Sequence, residues 1–215
     1  MFIRIINNLR RPFPDLVLYI FEKLQSLIWR FYILHVGDGF HVCQGAKIQG
    51  GKFIRIGDGF YAGKMLWIQA ISNYAGQNFI PRIDIGDYFK CSQSVHISSN
   101  SHISIGDYVL IGSGVHITDH AHGRYRGELQ DSPLVPPYLR QLAPGQPVNI
   151  EKNVWLCDGV VVLPGVTIGA GSIVGANSVV SNDIPPGVIA VGCPAVPIKR
   201  FDNLSGIWIS IKQYS

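Results

Sequence analysis

Hydrophobic side chains recur every six residues through most of this chain. Val36, Val42, Ile48 and Ile54 follow the period, as do Ile56, Ala62 and Ile68. Ile85, Cys91, Ile97 and Ile103 form a third run, and Ile105, Ile111 and Ile117 a fourth. The longest passes through Ile150, Leu156, Val162, Ile168, Val174 and Val180 without a slip. A period of six is neither the 3.6 of a helix nor the two of a long strand. It fits a short strand, a corner and a repeat, with one apolar side chain per strand pointing inward and Gly, Asn and Asp supplying the turns. Three such hexapeptides close a triangular coil of 18 residues, which is the separation of Ile150 from Ile168. Stacked coils pair their strands in parallel and bury each inward residue, worth about 1.5–3 kcal/mol apiece relative to exposure.

A second repeat marks the start of four coils: Val36-Gly-Asp-Gly-Phe40, Ile56-Gly-Asp-Gly-Phe60, Ile85-Gly-Asp-Tyr-Phe89 and Ile105-Gly-Asp-Tyr-Val109. Val36 to Ile56 and Ile85 to Ile105 are each 20 residues, one coil plus a slip of two. Ile56 to Ile85 is 29, nine more than a slipped coil, and Ile105 to Ile150 is 45, an excess of 25. Both excesses follow the third hexapeptide, after Ile68 and Ile117, and are expected to leave one corner of the prism. Long corner insertions on a solenoid tend to form its functional surface. The predicted organisation is an N-terminal helical segment over 1–35, a repeat body over 36–184 with insertions at 69–84 and 118–149, and a closing segment over 185–215. Beyond Val180 the repeat stops, and Ile184-Pro-Pro-Gly187 is expected to begin an irregular stretch.

Residues 14–33 lack the six-residue period and read as helix, with Pro14 in the first turn and Leu16, Ile20, Leu24, Leu27, Ile28 and Phe31 at helical spacing. Two roles are open. The helix can cap the first coil, whose strand edges would otherwise be unpaired. It can also lie on a membrane surface, helped by Arg4, Arg10, Arg11, Lys23 and Arg30. The apolar run Leu16–Phe21 is followed by Glu22 and Lys23 without a cleavage site, so no secretory signal is expected. Nor does any stretch reach the ~20 apolar residues of a membrane span.

Composition narrows the classes. Apolar residues are 47% of the chain and charged residues 15%, which suits a continuous apolar column and excludes disorder. The net charge of +4 comes from scattered Lys and Arg, so no nucleic-acid partner is expected. Cys43, Cys91, Cys157 and Cys193 stand apart without a C-x-x-C pair, which reads as reduced thiols in a cytoplasmic protein.

The run Val148-Asn-Ile-Glu-Lys-Asn-Val-Trp155, Leu163-Pro-Gly-Val-Thr-Ile-Gly169, Ile173-Val-Gly-Ala-Asn-Ser-Val-Val180, Asp183-Ile-Pro-Pro186 and Val191-Gly-Cys-Pro-Ala195 resembles the hexapeptide-repeat acetyltransferases. Within them it looks most like the sugar O-acetyltransferases, including galactoside and maltose acetyltransferases and enzymes that decorate bacterial surface polysaccharides. The resemblance is close over 105–200 and looser over 36–104. It implies an all-β, left-handed parallel β-helix that assembles as a homotrimer with active sites between subunits. It also implies direct transfer of acetyl from acetyl-CoA to a sugar hydroxyl, on a surface glycan or its precursor. N-acetylation of a nucleotide-linked amino sugar is an alternative, although such enzymes often carry an α/β domain for which there is no room before Val36. A catalytically silent scaffold is the third reading.

The chemistry is expected in the 118–149 insertion, which opens Thr118-Asp-His-Ala-His-Gly123 and continues through Arg124 and Tyr125. A hydroxyl attacking a thioester must lose its proton, and a histidine with an ordinary pKa of ~6.5 suits the base. By position in the family that base is His120, with His122 as runner-up and acceptor contact beside Arg124 and Tyr125. The resemblance further implies an oxyanion donor at the backbone N–H of Asp158 and acceptor binding at Ser92, where relatives carry Asn. Its cofactor contacts map to Trp155, Ala176, Ser181, Lys199 and Arg200. No nucleophilic Cys is implied. His96, His102 and His116 are the remaining candidates for metal ligands, but no pair has the H-x4-H spacing of the γ-class carbonic anhydrases, which share the fold, and no metal is expected.

Overall fold

The computed structural model describes residues 12–211, so Arg4, Arg10 and Arg11 lie outside the described residues. The body is a left-handed parallel β-helix, as expected, with three faces. Its first face stacks strands 35–36, 54–56, 82–85, 102–105, 148–150 and 167–168. The second stacks 41–42, 61–62, 90–91, 110–111, 155–156 and 173–174; the third stacks 47–49, 67–70, 96–99, 116–118, 161–162 and 179–180. Register is kept to the residue, as in Ile97↔Ile117 and Ile117↔Val162.

Every position of the six-residue runs is buried except Val36, which is partly covered by packing at the end of the prism. The core is richer than one side chain per strand. A second inward position lies four residues after each anchor, at the corners: Phe40, Phe60, Phe89, Val109 and Val154 in one column. The three phenylalanines stack at 5.2 and 5.1 Å between ring centroids. The two-residue slip also has a cause. First-face strands of these coils bury two residues each, Ile54 with Ile56, Ile83 with Ile85 and Ile103 with Ile105, and the second of each pair opens the next run.

The Gly-Asp repeat is a stacking device. Asp58 Oδ1 accepts from the Asp38 N–H at 2.7 Å, Asp87 from Asp58 at 2.8 Å and Asp107 from Asp87 at 2.8 Å. A Cβ on Gly57 would sit 2.2 Å from the Asp87 carboxylate, which is why the residue before each aspartate is glycine.

The closing segment is not irregular. Strand 188–192 adds in parallel to the second face, and 195–202 and 207–210 continue it antiparallel. Ser172 and Ser178 replace the apolar residue at the inward corner position, are buried, and bind this segment: Ser172 Oγ donates to Pro185 O at 2.7 Å, and Ser178 Oγ accepts from Gly192 N–H at 3.0 Å.

Helix α1, Phe13–Tyr32, covers the edge strand 41–42. Asp15 in its first turn and Arg30 in its last suit the helix dipole. Ser26 Oγ accepts from the Val42 N–H at 3.0 Å, and Gln25 Nε2 donates to Ala46 O at 3.3 Å. No described helix is long and apolar enough to cross a membrane.

Candidate active site

The two insertions leave the same corner, between the third and first faces, from strands 67–70 and 116–118, which sandwich strand 96–99. The shorter forms a hairpin of strands 73–74 and 77–78. The longer leaves and returns as a two-stranded neck, with Gly123 N–H on Gln141 O, Ala143 N–H on Ala121 O and Gln146 N–H on Asp119 O. Gln77 locks the two together, accepting from Leu142 N–H at 2.8 Å and donating to its carbonyl at 3.2 Å.

His120 sits at the base of this neck with its side chain 9% exposed. Its Nδ1 is 2.9 Å from Oδ1 of Asp119, whose side chain is fully buried. Asp119 also accepts from Ser99 Oγ at 2.6 Å and from the N–H groups of Asn100 and Ser101, each at 2.9 Å. Burial pulls this carboxyl's pKa up, but the four donors outweigh it, led by His120, and hold it below the usual range. An ionised Asp119 fixes the proton on Nδ1 of His120 and leaves Nε2 as the basic nitrogen. Sequence reasoning misses this pairing, for which an acid directly before the candidate base is the one signal.

A pocket of about 360 Å³ opens beside His120. Its floor is the outward row of the third face: Gln69, Ser98 and Thr118 in one register, and His96 and His116 in the next. Asn73 and Tyr74 of the hairpin and His122 of the neck form its walls. His122 Nδ1 lies 3.4 Å from the Tyr74 hydroxyl. His96 stacks on Trp67 at 4.1 Å, and burial, followed by the neighbouring His116 and His120 rings, pushes its pKa down to about 4. His116 is lowered by burial and by His120. Both imidazoles are neutral donors and acceptors near pH 7. His96 and His116 escape sequence reasoning in this role because their 20-residue separation says nothing until the coils are stacked. His102 lies on the first face with Nε2 2.9 Å from Asp84, away from this pocket.

Of the other predicted acceptor contacts, Tyr125 and Arg124 do not line the pocket. The Tyr125 hydroxyl donates to His122 O and accepts from Arg140 at 2.8 Å, and the Arg124 N–H donates to Asp131 at 2.6 Å, so both order the loop tip. Ser92, Asp158 and Ala176 stack on the opposite corner, between the second and third faces. Asp158 turns its carboxylate onto Ser113 N–H at 2.5 Å. Trp155, 44% exposed, starts an outward row on the second face through Ile173 and Ile189 to Lys199, with exposed Arg200 next in the chain. Ser181 falls on the His120 corner, following Val180 in register with Val162. The predicted site residues of one chain therefore divide between opposite edges of its third face.

Among the described residues, one trio could offer three metal ligands within 4.8 Å: Glu22, His41 and Cys43, where α1 meets the first coils.

Residues 147–182 match the family model of the bacterial transferase hexapeptide, six repeats. The chain is 38% identical over 156 residues to WbbJ of Escherichia coli K12, named for lipopolysaccharide biosynthesis O-acetyl transfer, covering 72% of this chain and 76% of that protein. It is 32% identical over 182 residues to the galactoside O-acetyltransferase of the same strain, covering 85% and 70%. Further relatives in Schizosaccharomyces pombe and Rhizobium meliloti are matched over only 28% of their own length. The crystal structure of the hexapeptide-repeat acetyltransferase VCA0836 from Vibrio cholerae, complexed with acetyl-coenzyme A, superposes with a TM-score of 0.56 at 28% identity, covering 85% of this chain and 79% of that one. The coiled body, the C-terminal repeat series and two relatives matched over most of their length agree: the chain belongs to the hexapeptide-repeat acetyltransferase family.

Proposed function

We propose that the protein moves an acetyl group from acetyl-CoA to a hydroxyl of a neutral sugar, within a surface glycan or its lipid-linked precursor. Family membership supports an acetyl-CoA-dependent acyltransferase, and the WbbJ and galactoside relatives support an oxygen acceptor. The observation that carries the reading is the Asp119–His120 pair at the edge of an uncharged polar pocket. Gln69, Asn73, Ser98 and the neutral His96 and His116 offer hydrogen bonds to hydroxyls, and no Lys or Arg lines the pocket to receive a carboxylate or phosphate.

In this mechanism Nε2 of His120 removes the hydroxyl proton as the oxygen attacks the thioester carbonyl. The resulting oxyanion is held by the Asp158 N–H. Collapse breaks the C–S bond, and the CoA thiolate takes the proton back from His120. Because His120 and Asp158 lie on different corners, the base of one chain would meet the oxyanion donor of a second copy, which supports a homotrimer with shared sites. On the second face, Trp155, Ile173 and Ile189 supply an apolar track for the pantetheine arm beside Ala176, and Ser181 would reach that arm from the His120 corner of the second copy. Lys199 and Arg200 lie about three strand spacings from Trp155, roughly 14 Å, where the CoA phosphates would fall. His122 contacts the acceptor.

The test is acetyl-CoA turnover against a panel of glycan acceptors. His120→Ala, still folded, should lose about 10²–10⁴-fold in kcat. Full activity of His120→Ala on a good acceptor would move the base to His122. A wild type that neither binds nor turns over acetyl-CoA leaves the β-helix as a scaffold.

A further inference from the structure

Helix α1 is amphipathic in the reverse of the expected sense. The side carrying Ser26, Glu22 and Gln25, with Trp29 beside them against the core, faces the protein and bonds the backbone of the first coil. Ser26, Glu22 and Gln25 supply those bonds, reaching Val42 N–H, Gln44 N–H and Ala46 O respectively. Its apolar side faces outward. Val17, Ile20, Phe21, Leu24, Ile28 and Phe31 are between 49% and 83% exposed. At about 100° per residue these six fall within an arc of roughly 100° centred opposite Ser26. The four charged residues of the helix, Asp15, Glu22, Lys23 and Arg30, all lie on the other half of the wheel. A cap alone therefore leaves a continuous apolar band in water, which a stable surface helix does not show.

We propose that this band is a docking site for an anionic lipid surface, with α1 lying in the plane of the membrane. Three observations favour lipid over a second copy of the chain. The band is wider than the seam of a two-helix contact, since Leu27 broadens it on one side and Phe13 extends it by a turn, at 50% and 79% exposed. Beyond Leu27 comes the cation Lys23, Arg30 further round pairs with Asp38 at 3.3 Å, and no acidic residue interrupts the apolar arc. Residues 1–11, which lead directly into the helix, contain Arg4, Arg10 and Arg11 and no Asp or Glu. A cationic approach to a broad apolar face is the pattern of an interfacial helix on anionic headgroups. Docking through α1 does not depend on the chemistry of the pocket. That it presents a lipid-linked glycan to that pocket rests on the acyl-transfer reading above.

The full chain should be floated with two vesicle preparations, pure phosphatidylcholine and phosphatidylcholine containing about a third phosphatidylglycerol. Wild type should float with the anionic vesicles, with binding weakened by added salt. Leu24→Glu/Ile28→Glu alters only outward side chains, so helical signal and acetyl transfer to a soluble acceptor should persist while binding drops by about tenfold or more. Three results would overturn the proposal. Wild type could stay with the soluble fraction on both vesicles, or the double variant could bind as well as wild type. The variant could also change the oligomeric mass while wild type ignores vesicles, which would assign the band to a second copy. Loss of acetyl transfer in wild type, with vesicle binding intact, would count against the catalytic reading and not this one.

Discussion

Replacing Asp119 with asparagine separates a positioning carboxylate from a merely buried one. Its two oxygens accept four hydrogen bonds: Oδ1 from His120 Nδ1 and Asn100 N–H, Oδ2 from Ser99 Oγ and Ser101 N–H. An amide has one accepting oxygen. Whichever way it turns, its NH₂ faces one of the two backbone N–H groups and leaves that donor unpaired at a buried position. The structural cost is about 1–3 kcal/mol for that donor, with a further loss because the remaining bonds are no longer charge-assisted. In one orientation the NH₂ donates to His120 Nδ1, which moves the imidazole proton to Nε2 and disables the base. In the other the tautomer survives, but the anion that would stabilise the imidazolium is gone. Both orientations therefore slow the chemical step.

We expect Asp119→Asn to lower kcat by about 10²–10⁴-fold, or about 3–5 kcal/mol of barrier, with the KM for acetyl-CoA little changed. Steady-state kinetics would be read alongside thermal unfolding, so that inactive and unfolded protein are not confused. Ser99→Ala serves as a gradation, because it removes one neutral donor and leaves the charge and the tautomer intact. If folded Asp119→Asn keeps kcat within about threefold of wild type, the carboxylate does not act through His120. A rise in the KM for acetyl-CoA at constant kcat would place Asp119 in cofactor binding instead.

Two further outcomes follow from groups outside the chemical step. His96 has its pKa pushed down from 6.5 to about 4 by burial and by the His116 and His120 rings, so the unfolded chain binds more protons than the folded one between those values. Stability should therefore fall as pH drops through that window. His96→Phe, which keeps the stack on Trp67, should reduce the difference in urea midpoint between about pH 7 and about pH 5; an unchanged difference refutes the assignment. At the other end of the prism, Ser172→Ala removes the acceptor for the Val188 N–H, 3.2 Å away, and the donor to Pro185 O. It should cost about 1–3 kcal/mol, read as a lower midpoint in chemical denaturation, and an unchanged midpoint would mean the closing strands hold without it.

The body of the fold was legible because each hexapeptide repeats one physical problem. A side chain such as Ile97 must enter the column between Ile68 and Ile117, and the sequence records that need every six residues. The insertions could be assigned to one corner by the same counting. What stayed hidden were features that break the period for a reason of their own. Ile54 and Ile56 look like a slip in the repeat, yet they are two inward residues of one strand. Ser172 and Ser178 lie off the six-residue runs, and they are the anchors that tie the coil to the closing sheet. Strand 188–192 was unreadable as a continuation because its partner relation to 173–174 depends on those anchors.

The candidate site was legible as residues but not as geometry. His120 could be singled out from its loop, but the groups around it come from three coils: Gln69 from one, Ser98 to Ser101 from the next, and Thr118 to His122 from the third. Spacing along the chain does not announce which outward residues share a row when insertions separate them. The same limit applies to α1, for a stronger reason. Apolar residues at helical spacing say that a helix has two sides and not which side the protein takes. Here the edge of a parallel sheet needs hydrogen-bond partners more than it needs apolar cover, since the Val42 N–H points away from strand 61–62 and is met by the helix. Ser26, Glu22 and Gln25 satisfy that need, and the orientation they impose turns Leu24 and Ile28 outward. The cap is thus one face of the helix, and the membrane contact we propose would use the other.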